Sequence, residues 1–247
     1  MAGETLPIAP IAANEAHPTI ATRVYRALRE AIVTMRLLPG YPLSEAEVAK
    51  QMGTSRQPVR EAFIKLSEIG LVDIVPQRGT FVVKISERDV SNARFMREAI
   101  EVAIVRRACE TASRADILAV QKLIDAQVEA AAASDQKRFL ELDDAFHQAI
   151  AASADCLLGW RIIEDLKAQM DRVRFLSLPQ ATPIETLIDQ HHRIANAIAK
   201  GDADAAAAAM REHLSEILKS LPKLAESRAE LFAEPETTPR IATRSVP

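Results

Sequence analysis

At 247 residues the chain is long enough for one or two domains with their own cores, and 48% apolar residues with only 4% aromatics and seven glycines favour a mostly helical protein. A net charge of −3 would argue against a nucleic-acid partner if spread evenly, but residues 18–85 carry ten Lys/Arg against six Asp/Glu while the remainder carries 21 against 28. No apolar run approaches the roughly 20 residues of a membrane span, and residues 1–17 read as a loose tail and not as a signal peptide, so a cytoplasmic protein is expected.

The first expected element is an amphipathic helix with Val24, Leu28, Ala31, Ile32 and Met35 on its inner face, ending before Pro39-Gly40. Ser44 with Glu47 three residues on has the spacing of a capping box. Leu43, Val48 and Met52 supply apolar positions to this second helix, and Gly53 stops it where a left-handed residue is needed. A third helix starts at once. Ser55 is its expected cap, and Pro58 falls in the first turn, where a missing N–H costs no intrahelical bond. Val59, Phe63 and Leu66 give this helix a core face, while Arg56 and Arg60, four apart with Gln57 beside them, share a surface near its N-terminus. After Gly70, two β-rich runs, Leu71–Val75 and Thr80–Val83, flank the turn residues Pro76-Gln77-Arg78-Gly79 and predict a hairpin.

Helix, tight turn, helix and hairpin are the parts of a winged helix-turn-helix over residues 18–85. The second helix of such a pair enters the major groove and presents its N-terminal residues to base edges, and arginine is the side chain best suited to bidentate contact with guanine. Ser55, Arg56, Gln57 and Arg60 are therefore the candidate groove contacts, with Arg78 and Gly79 at the hairpin tip directed to the minor groove or backbone. Residues 20–85 resemble the winged helix of GntR-type bacterial transcription factors through Leu38-Pro39-Gly40, Leu43-Ser44-Glu45, Ser55-Arg56-Gln57-Pro58-Val59-Arg60-Glu61-Ala62, Gly70-Leu71-Val72 and Pro76-Gln77-Arg78-Gly79. One departure counts. Some relatives of the FadR type place a DNA-contacting arginine early in the first of the two helices, and this chain has Ala46 there.

From Ser86 onward helical periodicity takes over, with helices expected near 87–112, 114–133, 136–153, 156–178, 184–200 and 203–232. Short connections make these an antiparallel all-helical bundle over 86–233, whose interior is where metal and ligand sites are built; 234–247 reads as a flexible tail. Cys109 and Cys156 read as small hydrophobes in a reducing compartment. Asp143 and His147 stand at i, i+4 on one helix face. His191 lies ten residues before Gly201 and His213 eleven after Asp202, a helix stop followed by a helix cap. At 1.5 Å per residue both histidines lie about 15 Å from that turn on adjacent helices. Three imidazoles and one carboxylate suit Zn, Mn, Ni or Fe with a coordination position left open; the alternative on spacing alone is a set of scattered surface or core histidines.

Residues 89–220 resemble the FCD effector domain that defines the FadR subfamily of GntR regulators, through Arg97…Glu101, Asp143-Asp144-Ala145-Phe146-His147 and His191…Ile194…Ala197-Ile198…Gly201-Asp202…Met210…His213-Leu214. The resemblance implies Asp143, His147, His191 and His213 as metal ligands, zinc foremost, and places Arg97 near the effector cavity. Asp144 and His192 adjoin the ligand positions but fit the pattern less well. Asp155 stands where relatives carry Asn, with consequences for cavity polarity or for the helix cap. Arg172 and Arg174 are further candidates to meet an anion, with a solvated or dimer face as the expected alternative. The expectation as a whole is a mostly α protein: a homodimeric, ligand-responsive regulator, a repressor by family habit, that binds a palindromic double-stranded operator and senses a small organic or sugar acid through a divalent metal. The competing class is a metal-dependent enzyme acting on a small carboxylate, against which stands the lack of any general base or nucleophile motif at suitable spacing.

Overall fold

The computed structural model describes residues 6–8, 18–178 and 183–234. Its first part follows the expected order: α1 (Ile20–Val33), β1 (Pro42–Leu43), α2 (Glu45–Gln51), α3 (Arg56–Glu68), β2 (Val72–Val75) and β3 (Gly79–Val82). Ser44 Oγ accepts from the Glu47 amide at 3.4 Å, but the reciprocal half of the expected capping box is absent among the described residues. Gly53, at φ +62, provides the left-handed stop between α2 and α3. Val24, Leu28, Val48, Val59, Phe63 and Leu66 close one apolar core. The wing gains a strand that its sequence did not announce: β1 pairs antiparallel with β3, giving the order β1-β3-β2. Two residues, one of them a proline, carry no alternation to read.

Two further expectations need correction here. Met35 is not on the inner face of α1, because the helix ends at Val33 and Met35 turns the chain at φ +56. Nor is the whole of 1–17 loose. Leu6 and Ile8 are buried in the core of the head, and the Gln51 carboxamide accepts from the Leu6 amide at 2.9 Å and donates to the Leu6 carbonyl at 2.8 Å. The rest of that expected tail, and the one beyond Glu234, lie outside the described residues.

The bundle comprises α4 (Glu87–Thr111), α5 (Arg114–Ala132), α6 (Gln136–Ser153), α7 (Leu157–Leu166), α8 (Ala168–Ser177), α9 (Ile184–Lys200) and α10 (Ala203–Ser227). Ser86, Ser113, Asp135 and Asp202 each cap a helix through a side-chain oxygen, and Gly201, at φ +69, closes α9. The helix expected over 156–178 divides at Lys167, whose ψ of −3° breaks the ladder. The division has a purpose in packing. Ala168 joins the core of the head, while Met170 and Val173 join a junction cluster with Ile85, Ile217 and Leu221, so one short helix serves two cores. Beyond α10 the chain returns to the junction, where the Ile85 amide donates to the Leu231 carbonyl at 2.9 Å and the Ala233 amide to the Ile85 carbonyl at 2.8 Å. No helix among the described residues is long and apolar enough to cross a membrane.

Candidate metal centre and reading head

Three helices carry the four polar residues at the heart of the bundle. Asp143 and His147 project from α6, His191 from α9 and His213 from α10, all buried. The hairpin at Gly201-Asp202 brings the last two to the same height, as the count from the turn requires. His191 Nε2 lies 3.4 Å from His213 Nε2, His213 Nε2 lies 3.1 Å from His147 Nε2, and Asp143 Oδ1 lies 3.4 Å from His191 Nε2. One donor atom from each of the four residues falls within 4.8 Å of the others. Ligand atoms at zinc–nitrogen distances around a tetrahedral ion stand about 3.3–3.4 Å apart, so the set can hold a metal ion with little movement.

The tautomers follow from what each ring's other nitrogen meets. His191 Nδ1 faces Gln127 Oε1 at 2.7 Å, and His213 Nδ1 faces Gln190 Oε1 at 3.0 Å. His147 Nδ1 is held by Glu101, which is itself paired with Arg97. The amide orientations are fixed in turn, since Gln127 Nε2 donates to the Leu142 carbonyl at 3.2 Å and Gln190 Nε2 to Glu216 at 2.7 Å. All three Nδ1 atoms face an oxygen acceptor, so the three Nε2 atoms are the ones that converge. Burial pushes His191 down to about 3 and, with His191 and His147 adding to it, His213 well below its ordinary value, so both rings stay neutral at physiological pH. Burial opposes charge on Asp143 and Glu101 as well, but here the neighbours win. Arg174 and the imidazoles hold the Asp143 carboxyl well below the usual carboxylate range, and Arg97 with His147 holds Glu101 at about 2. Phe146 stacks on His191 at 4.2 Å and closes the apolar side.

Beside this cluster lies a cavity of about 40 Å³ lined by Arg97, Asp143, Arg174, Ser177 and His213. Arg97 is 3% exposed, and its Nη2 has no hydrogen-bond partner among the described residues. Arg97 is thus an interior residue that pairs with Glu101 and also borders the cavity. Asp144 is not in the cluster; it faces Lys167 at 2.7 Å and Arg174 at 3.2 Å. His192 is only half-buried, outside the ligand face. Asp155 is exposed at φ +49 after α6, so the Asn-for-Asp difference concerns a left-handed helix cap and not the cavity. The expectation of a solvated or dimer face for Arg172 and Arg174 fails: Arg172 is fully buried, and Arg174, largely buried, pairs with Asp143. Glu101, Gln127 and Gln190 went unread as ring orienters. Gln127 offered a signal, a lone polar residue in the buried stripe Val120, Ile124, Gln127, Ala130.

In the head, Ser55, Arg56 and Gln57 stand exposed at the start of α3, and Arg78 and Gly79 at the wing tip. Ser55 makes no side-chain cap bond. Arg60 is engaged instead of waiting, since its guanidinium meets Glu45 of α2 through two bonds of 2.9 and 3.0 Å. Gln57 Nε2 donates to Glu61 at 3.1 Å. Arg56 has no ion pair among the described residues.

Comparison with known proteins agrees with this layout. Residues 20–82 match the model of the bacterial regulatory proteins of the gntR family, and residues 93–216 match the FCD domain. The HTH-type transcriptional repressor RspR of Escherichia coli K12 is 43% identical over 223 residues, covering 90% of this chain and 98% of that protein. A probable D-xylose utilization operon transcriptional repressor of Paenarthrobacter nicotinovorans is 28% identical, covering 81% and 88%. Among solved structures, a GntR regulator from Rhodococcus sp. RHA1 superposes with a TM-score of 0.68 at 26% identity, covering 82% of this chain and 97% of its own. Escherichia coli McbR/YncC gives 0.72 at 21% identity, with 85% and 99% covered, a likeness of fold.

Proposed function

The chain belongs to the GntR family of bacterial regulatory proteins, carries an FCD domain and is a transcriptional regulator, not an enzyme; from that premise we propose that it is a metal-assisted acid sensor that represses transcription from the cytoplasm. Asp143, His147, His191 and His213 hold a divalent transition metal, zinc foremost, with manganese, nickel and iron chemically admissible. A small carboxylate or sugar acid completes the coordination and meets the unpaired Arg97 Nη2. Two copies bind a palindromic operator, each placing α3 in a major groove.

One observation carries this reading: three imidazole Nε2 atoms and a carboxylate oxygen converge in a buried space, one donor atom from each residue within 4.8 Å of the others. Such a group of acceptors is costly until a cation satisfies it. A cation there, with the orphan guanidinium donor across a cavity of about 40 Å³, makes an anionic ligand the complementary partner. The second copy has its own support in Phe95 and Met96 of α4 and Leu158 and Ile162 of α7, large apolar side chains left exposed on two helices that pack together.

The test uses full-length protein stripped by chelator, then reloaded with zinc, on a duplex selected from a random pool. Zinc followed by small carboxylates is expected to shift operator affinity in the loaded protein alone; indifference to both would sink the sensing role. Catalytic turnover of any such acid would return the enzyme reading to consideration. For the head, Arg56→Ala is expected to cost about 1–3 kcal/mol on the selected duplex at fixed salt. Arg60→Ala should cost less specific affinity than Arg56→Ala, because Arg60 is already spent on Glu45. Unchanged binding by the Arg56 variant would mean that α3 is not the reading helix.

A further inference from the structure

The candidate metal-ligand carboxylate Asp143 turns Oδ1 toward His191 at 3.4 Å, with Oδ2 at 3.9 Å from His147 Nε2. The same Oδ2 is held by Arg174 of α8. Arg174 does not end there. Its Nη1 also reaches Asp144 at 3.2 Å and Asp171, three residues back on α8, at 3.3 Å. Asp171 Oδ2 accepts from Arg29 Nη2 of α1 at 2.6 Å, and Lys167 donates to both Asp144 and Asp171 at 2.7 and 2.9 Å. Arg29 sits on the first helix of the reading head. Three ion pairs in series, through Arg174 and Asp171, therefore link the candidate metal centre to the DNA-binding unit. α8 is also the helix that packs Ala168 into the core of the head.

We infer that Arg174 is a positioning residue of the metal site, orienting Asp143, and that by sharing Asp171 with Arg29 it couples occupancy of the site to docking of the reading head. The inference rests on the metal reading above and deepens it. Charge counting gives the cause. Without a metal, three cations (Arg29, Lys167, Arg174) balance three carboxylates (Asp143, Asp144, Asp171) in a largely buried network. A divalent ion on three neutral imidazoles and Asp143 adds two positive charges beside Arg174. The guanidinium then shifts its weight from Asp143 toward Asp144 and Asp171, unless an anion joins the metal and takes its place. Either change alters how much of Asp171 is left for Arg29. A cavity of about 260 Å³ between α1, α6 and α8, bordered by Arg29, Asp144, Asp171 and Arg174, gives the side chains room to do so. Coupling of this kind is reciprocal, so the position of the head must in turn bias metal affinity.

The test is hydrogen exchange on full-length protein, with and without zinc, in the wild type, Arg29→Gln and Arg29→Lys, with zinc content measured in each by elemental analysis. In the wild type zinc is expected to change exchange of the α1 amides by roughly five-fold or more, the lower end of ordinary coupling. Arg29→Gln should still take up zinc stoichiometrically while α1 no longer responds, and Arg29→Lys should keep part of the response. A separate readout addresses orientation: in cobalt-loaded protein, Arg174→Gln is expected to shift the visible absorption of the metal, which Arg29→Gln should leave alone. Zinc bound in the wild type with α1 silent, or a full α1 response in Arg29→Gln, overturns the coupling and leaves the metal site standing. An unshifted cobalt spectrum in Arg174→Gln overturns the positioning role. Failure of the wild type to retain zinc or cobalt at all overturns both this inference and the metal reading beneath it.

Discussion

Alanine at both His191 and His213 is expected to abolish metal retention while the chain stays helical. Zinc sites of four protein donors are worth on the order of 10–16 kcal/mol, so each imidazole carries about 3 kcal/mol and its loss is roughly a hundred-fold or more in affinity. Two losses leave only Asp143 and His147, a pair on one helix that cannot enclose an ion. The fold should survive because neither histidine supplies a helix cap or a backbone bond. Its cost is local: Gln127 and Gln190 each lose the ring N–H that their carbonyl oxygens accept, and a buried acceptor left unmade costs about 1–3 kcal/mol. Elemental analysis of protein dialysed against excess zinc, with far-ultraviolet circular dichroism alongside, reads both halves. His192→Ala is the control, since that ring is half-buried beside the site and takes no part in it. Equal zinc in the double variant and the wild type would mean that the ion sits elsewhere.

That these residues could be found in the sequence at all is a consequence of helix geometry. A rigid rise per residue turns the intervals His191 to Gly201 and Asp202 to His213 into equal heights, and i, i+4 spacing puts Asp143 and His147 on one face. Caps are equally legible, because Ser or Asp before a periodic run acts on its own neighbours; Ser86, Ser113 and Asp202 do so here. What could not be read depends on partners far away in the chain. Arg174 and Asp171 look like ordinary surface charges of a helix until α6 supplies Asp143 and α1 supplies Arg29. The break at Lys167 is of the same kind. No glycine or proline marks it, and its reason is the demand of two cores plus a buried ammonium that meets Asp144 and Asp171. Likewise β1 exists only because β3 offers it an edge.

Methionine at Arg172 is expected to raise stability by about 1–3 kcal/mol, the second large effect and the less intuitive one, since it removes a charge from the middle of a well-packed junction. Arg172 is fully buried, yet no carboxylate among the described residues meets it. Its Nη1 donates to the Val83 carbonyl at 2.9 Å and to Gln169 Oε1 at 3.1 Å, while Nε and Nη2 have no partner among the described residues. Burial alone drags its pKa down to about 10, a penalty on the charged form of about 3 kcal/mol at 1.36 kcal/mol per unit. The sign is that of a base with a lowered folded-state pKa. The penalty is fully present below pH 10 and fades only as the pH rises beyond it toward the ordinary range of a guanidinium. Methionine removes it and adds apolar contact with the junction, against the loss of two hydrogen bonds worth about 1 kcal/mol each. The gain should therefore be flat across the physiological pH range, where the guanidinium never deprotonates. At roughly 2–4 °C per kcal/mol for a chain of this size, thermal unfolding should move up by several degrees. Arg172→Lys should move it down, because a more strongly hydrated ammonium suffers more from the same burial. A methionine variant less stable than the wild type by a full kcal/mol would show that the guanidinium is compensated after all. If the gain is found, the junction between α8 and the end of the wing is held below its attainable strength. Tighter docking of the head in that variant, read as a weaker response of operator affinity to zinc, would tie the surrendered stability to the freedom of the head to move.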